Sequence, residues 1–224
     1  MEFEIVGSSM QTLLVELSDG EAMYTERGGM AWLSNVDMDT SARGGLMKGL
    51  GRMVSGESLF MTTYTARRGG GKVAFTPEAP GKVLSMKLEP GQAMLCQRDA
   101  FMCAEESVDL SVHLHKRFGA GLFGGEGFFL QEVEGPGYVF FEIPGEAYET
   151  TLAPGEVLHV DPGHLALFEP NVDFSITRVK GVRNVLLGGE GLFLAKLTGP
   201  GNVWLQSLPL PNLAAKLNCY ISKS

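Results

Sequence analysis

The chain has 224 residues, 44% of them apolar, with 30 Gly, 11 Pro and a formal net charge of −8. That length accommodates one large all-β domain with a sizeable core, while the acidity excludes binding driven by nucleic-acid phosphates or by anionic membrane surfaces. Three cysteines, Cys96, Cys103 and Cys219, without CxxC spacing exclude a disulfide framework and a structural zinc site, and they fit a reducing cytosol.

Residues 1–10, MEFEIVGSSM, are acidic and lack a basic leader, so no secretory signal is expected. No run of about 18 apolar residues follows, so no spanning helix is expected and the localisation read is cytoplasmic. Leu13, Val15 and Leu17 alternate with polar positions, the period of a strand with one buried face. The segment Gly44–Met53, GGLMKGLGRM, sets apolar Leu46, Met47, Leu50 and Met53 beside Lys48 and Arg52. It reads either as an amphipathic loop that docks on a protein partner or touches a membrane surface, or as a loop folded onto the protein's own core or between subunits. Arg67–Lys72, RRGGGK, is expected to be an exposed hairpin tip.

Pro90-Gly91 and Pro154-Gly155 are turn dipeptides that precede apolar strand residues. Asp-apolar-Ser-apolar at 109–112 and 173–176 predicts two short strands. Gly-Gly-Glu-Gly then opens Phe128–Leu130 and Leu192–Leu194, apolar on both faces, which calls for a second layer above them. Gly135-Pro136-Gly137 and Gly199-Pro200-Gly201 are expected to close hairpins. Asn212 is predicted to cap a short helix over Leu213–Leu217 that seals an open end of the sheet stack.

The motifs recur. LFGGEGFFLQEVEGPGYVFFEIP from Leu122 matches LLGGEGLFLAKLTGPGNVWLQSLP from Leu186. Gly91 and Gly155, Asp109 and Asp173, Glu126 and Glu190, and Gly137 and Gly201 all keep one offset of 64. A more divergent first copy places Gly20 71 residues before Gly91 and Glu57 69 residues before Glu126. The chain therefore reads as a single domain, 1–224, made of three β repeats over about 9–79, 80–143 and 144–209 with a helical tail 210–224. Phe60, Phe129 and Phe193 each follow the shared Glu by three residues and are expected in three equivalent core layers. The predicted class is all-β, a sandwich or barrel array with pseudo-threefold symmetry. A β-trefoil, whose repeats are shorter, is the second reading.

GLGRMVSGESLFMTTYTA at 49–66, GGEGFF, GGEGLF and the strands led by Pro-Gly resemble the mitochondrial-biogenesis family of small β proteins, called "altered inheritance of mitochondria" in its fungal members. The resemblance covers nearly the whole chain, and SGESLF at 55–60 is its most specific part. It implies a fold similar to the tryptophan RNA-binding attenuation protein (TRAP), a double-stranded β-helix that assembles edge to edge into rings. Three such units per chain, and a ring of three chains, follow as expectations. The fungal members imply a role in organising inner-membrane complexes. No catalytic residues come with the family, and no repeated Lys/Arg pattern supports RNA binding.

Candidate site chemistry is sparse. Glu57, Glu126 and Glu190 could hold a hard cation as a trio, against the plainer reading that each accepts backbone N–H groups of its own Gly-rich turn. His113 and His115 are spaced as a strand-borne chelating pair, but Thr177 and Val179 stand at the matching positions, so a solvated strand end is the preferred reading. His159 with Asp161 carries the same weakness, and His164 stands alone. No GxSxG occurs, and Cys96 and Cys103 sit in apolar runs where cysteine packs rather than reacts. No catalytic residue, cofactor or metal is assigned. The leading expectation is a non-enzymatic scaffold that self-associates through sheet edges, a trimer being favoured, and that holds an unidentified protein partner. The alternative is a small-ligand or metal-binding β module using clefts between repeats. A cupin-like oxygenase ranks third, for want of a suitable His/Glu constellation.

Overall fold

Apolar alternation becomes antiparallel sheet from the first residues onward. The structure is a computed structural model that describes residues 1–26, 28–42, 60–116, 128–178, 193–218 and 220. Its first sheet runs in the order β1 (Glu2–Val6), β2 (Thr12–Leu17), β7 (Gly71–Phe75), β4 (Met30–Ser34). The second runs β5 (Val36–Ala42), β6 (Phe60–Ala66), β3 (Ala22–Thr25), β10 (Phe101–Glu105), β13 (Gly137–Pro144), β8 (Gly81–Leu88). The third runs β11 (Asp109–Lys116), β12 (Phe128–Glu134), β9 (Ala93–Gln97), β16 (Leu165–Phe168), β19 (Gly201–Gln206), β14 (Ala147–Leu152). The fourth holds β15 (Val157–Val160), β18 (Phe193–Thr198) and β17 (Asp173–Arg178). Among the described residues the fold is predominantly β, with one short α-helix, α1 (Leu210–Asn218), near the C-terminus.

The chain divides into two compact units. One takes Met1–Gln92, Asp99–Leu110 and Val133–Ile143 and carries the first two sheets. Its core gathers the alternating Leu13, Val15 and Leu17 with Val73, Phe75, Tyr64, Met102 and Phe140. The Phe3 ring meets Phe140 edge-on at 4.9 Å. The other unit takes Ala93–Arg98, Ser111–Glu132 and Pro144–Ser224. Its core joins Phe128, Leu130, Leu165, Phe168 and Leu197, with Phe174 stacked on Phe128 at 5.2 Å and on Phe168 at 5.7 Å. Phe128, Phe129 and Leu130 are all buried, as a strand apolar on both faces requires.

Pairing registers recur along the chain. β10 pairs with β13 through Phe101↔Phe141, Cys103↔Phe140 and Ala104↔Val139, with a bulge between Phe101 and Cys103. β16 pairs with β19 through Leu165↔Leu205, Leu167↔Trp204 and Phe168↔Val203, with its bulge between Leu165 and Leu167. β4 pairs with β7 through Met30↔Phe75, Trp32↔Ala74 and Leu33↔Val73, bulged between Met30 and Trp32.

Three expectations need correction. The Gly-Pro-Gly segments do not close hairpins: β12 lies in the third sheet and β13 in the second, β18 in the fourth and β19 in the third. They carry the chain from one sheet to another, and at this change only glycine fits. Gly137 and Gly201 have φ of +138° and +143°, and a Cβ on Gly201 would lie 2.7 Å from Val172 Cγ2. Arg67–Lys72 likewise joins the second sheet to the first rather than forming a hairpin tip. Finally, α1 begins before Asn212. The Pro209 carbonyl accepts from the N–H groups of Asn212 and Leu213, and Pro211, in the first turn, has no N–H to leave unpaired. Leu217 is exposed and α1 buries no residue, so the helix seals nothing with that face.

Candidate functional site: two open sheet edges

Among the described residues four strands end their sheets with a large apolar side chain in solvent: Met38 on β5, Tyr148 on β14, Trp32 on β4 and Val157 on β15. In the first unit β4 bonds to β7 on one side and is the last strand of its sheet. Its Trp32 is 56% exposed, and Ala31 and Ser34 are exposed beside it. In the second unit β15 bonds to β18 and ends the three-stranded sheet. There Val157 is 43% exposed and His159 is exposed as well, while Val160 turns inward to the core. An unpaired strand presents a row of N–H and C=O groups ready to accept another strand. Trp32 and Val157 add apolar contact that a solvated edge does not need.

The polar side chains hold turns. Glu21, Gln92 and Glu156 each accept the backbone N–H three residues earlier, from Ser18, Glu89 and Ala153, all at 2.8 Å. The Met1 amine also lies 2.8 Å from Glu21, and together with the Ser18 N–H it holds that carboxyl below its ordinary range. Glu105 accepts the Tyr138 N–H at 2.6 Å and Glu169 the Asn202 N–H at 2.8 Å. Glu21 and Glu105 also line a surface hollow of about 370 Å³ with Leu17, Ala22 and Ser107, but both carboxylates are already engaged by backbone donors. These turn-holding side chains stand at positions other than Glu57, Glu126 and Glu190. Their signal was the shared spacing beside Gly20, Gly91 and Gly155.

Glu142 on β13 is a carboxyl whose acidity the fold alters strongly. Its Oε2 accepts the Glu78 N–H at 2.7 Å. Burial pushes its pKa up to about 7, and the nearby Glu78 and Asp99 charges add to the rise. Burial likewise raises the Cys103 thiol well above its ordinary value, so Cys103 stays protonated and packs. Cys96 and Cys103 are both free and buried.

Of the residues singled out by sequence, Glu57, Glu126, Glu190, Leu46, Met47, Leu50 and Met53 lie outside the described residues, as does the Phe60 side chain. Phe129 is buried under the Arg98 guanidinium at 5.7 Å, and Phe193 is half-buried at the start of β18. The His115 side chain lies outside the described residues, and the other three histidines have separate neighbours. His113 Nδ1 lies 2.9 Å from Glu132 Oε2, and His159 stands opposite Lys196. His164 is not alone: its Nδ1 donates to the Gln206 carbonyl at 2.8 Å, pinning the turn Pro162–His164. Among the described residues no three His, Cys, Asp or Glu side chains form a group that could hold a metal ion, and no helix is long and apolar enough to cross a membrane.

Comparison with known proteins places this architecture. The family model described as "Mitochondrial biogenesis AIM24" matches residues 3–208. An uncharacterized protein of Streptococcus pyogenes serotype M6 is 31% identical over 230 residues, spanning 98% of this chain and 91% of that protein. The X-ray crystal structure of a Streptococcus pyogenes protein superposes with a TM-score of 0.78 at 27% identity, covering 98% of this chain and 99% of that one.

Proposed function

The chain belongs to the mitochondrial-biogenesis AIM24 family, and from that premise we propose that it is a non-enzymatic scaffold that self-associates through sheet edges. The carrying observation is the exposure of Trp32 and Val157 on strands that end their sheets. Burying such edges against other copies removes both the unpaired backbone groups and the apolar exposure. The three tandem copies are read as TRAP-like double-stranded β-helix units repeated with pseudo-threefold symmetry. Support comes from the common sequence offsets and from the bulge that recurs in β4, β10 and β16.

A homotrimer is the favoured assembly and the cytoplasm the favoured location. The assembly presents Leu46, Met47, Leu50 and Met53 once per chain to a protein partner, so that weak single contacts add by multivalency. Deleting residues 44–53 is expected to leave the circular dichroism spectrum and assembly mass unchanged and to abolish capture of proteins that the intact chain retains. Recovery of the same proteins by the deletion variant contradicts this role for the segment.

A further inference from the structure

Two junctions within the chain show how one stretch of sheet is added to the next. In the second sheet β3 pairs with β10 through Tyr24↔Ala104 and Met23↔Glu105. In the third, β9 pairs with β16 through Leu95↔Phe168 and Cys96↔Leu167. Met23, Tyr24, Ala104, Leu95, Cys96, Leu167 and Phe168 are all buried.

The strands on each side of these junctions form matched sets. β3, β9 and β15 begin at Ala22, Ala93 and Val157. β4, β10 and β16 begin at Met30, Phe101 and Leu165. Both sets step by the same 71 and then 64 residues. The bulge at the same step of β4, β10 and β16 shows that the match holds in backbone geometry as well as in sequence. Each junction joins a member of the first set to a member of the second. Two such joins use β3, β9, β10 and β16, and the members left over are β15 and β4. These are the two strands that end their sheets with Val157 and Trp32 in solvent.

We infer that β15 of one copy pairs antiparallel with β4 of a second copy, His159 opposite Leu33 and Val160 opposite Trp32. The inference rests on the scaffold reading and names its interface. The register follows from the formed junctions: Tyr24, Leu95 and His159 are matched positions, as are Ala104, Phe168 and Leu33. The occupant is a second copy because each edge has the shape and register of the strand its counterpart already binds. The contact is heterologous, so it closes only as a ring or extends as a filament. β15 has four residues, too short a strand to hold two chains alone, and closure gives every chain two such contacts.

The test is cross-linking in a Cys219→Ser background, where the other two cysteines are buried. One preparation carries Leu33→Cys alone and another His159→Cys alone. Mixing and mild oxidation are expected to give a disulfide-linked dimer of one chain of each kind. A second pair, Ser34→Cys with Leu158→Cys, repeats the test should the first perturb folding. Ser34→Cys with His159→Cys, slipped by one residue and so on opposite faces, is expected to give none. No dimer from either matched pair, or a cross-link only within one chain when both cysteines are on it, overturns the inference. Sedimentation velocity of the unaltered protein separates the two levels. Oligomers without the cross-link sink this interface and leave the scaffold reading standing, whereas a lone monomer sinks both.

Discussion

Phe168→Ala is expected to lower the free energy of unfolding by about 3–5 kcal/mol, the range for deleting a fully buried ring. Phe168 has no exposed surface and stacks on Phe174, which in turn stacks on Phe128. Removing this ring from β16 leaves a void that the strands pairing with it on both sides, β9 and β19, hold open. The urea midpoint is the readout. Tyr148→Ala on β14 is the control, since Tyr148 is 64% exposed and surface truncations shift stability by about 0.5 kcal/mol or less. A Phe168→Ala loss no larger than the control's would mean that the aromatic stack does not hold the second unit together.

The second large effect depends on pH. Glu142 has a folded-state pKa of about 7 against 4.5 for a glutamate in its ordinary surroundings. The folded state therefore binds the proton more tightly than the unfolded chain. The group's favourable contribution is fully present below pH 4.5 and is lost as pH rises through about 7. Glu142→Gln removes the titration and keeps a carbonyl oxygen to accept the Glu78 N–H. Glutamine also suits the place. Gln206 stands at the matching position of β19 and donates to the carbonyl of Gly163, the match of Asp99, at 2.8 Å. The variant is expected to equal the wild type at pH 4 and to exceed it at pH 8 by about 2–3 kcal/mol. Urea unfolding of both proteins at the two pH values measures the difference, which cancels the other titrating groups. A gap between the proteins that does not change with pH contradicts the assignment.

Local patterns in the sequence foretold local structure and were silent on partners. The alternation of Leu13, Val15 and Leu17 marks a buried face because it depends only on the two-residue pleat. The doubly apolar Phe128–Leu130 marks a central strand for the same reason. The Gly-Pro-Gly segments look like hairpin turns because both flanks are strands, yet nothing local states that the flanks belong to different sheets. The open edges were equally hidden. Nothing local to Trp32 states that no strand follows β4 in its sheet. Glu142 escaped notice because its acidity is set by burial and by Glu78 and Asp99, both distant in sequence. The helix start was misplaced because Asn212 is a good cap by type, whereas the Pro209 carbonyl supplies the first acceptor.

Native mass spectrometry of protein purified without chelator tests self-association through sheet edges most directly. The account predicts a closed species at three times the chain mass, free of metal or small-molecule adducts, that dissociates when Trp32 and Val157 are both replaced by lysine. A bare monomer at every concentration contradicts it. A persistent adduct on a monomer would instead mark a ligand-binding module.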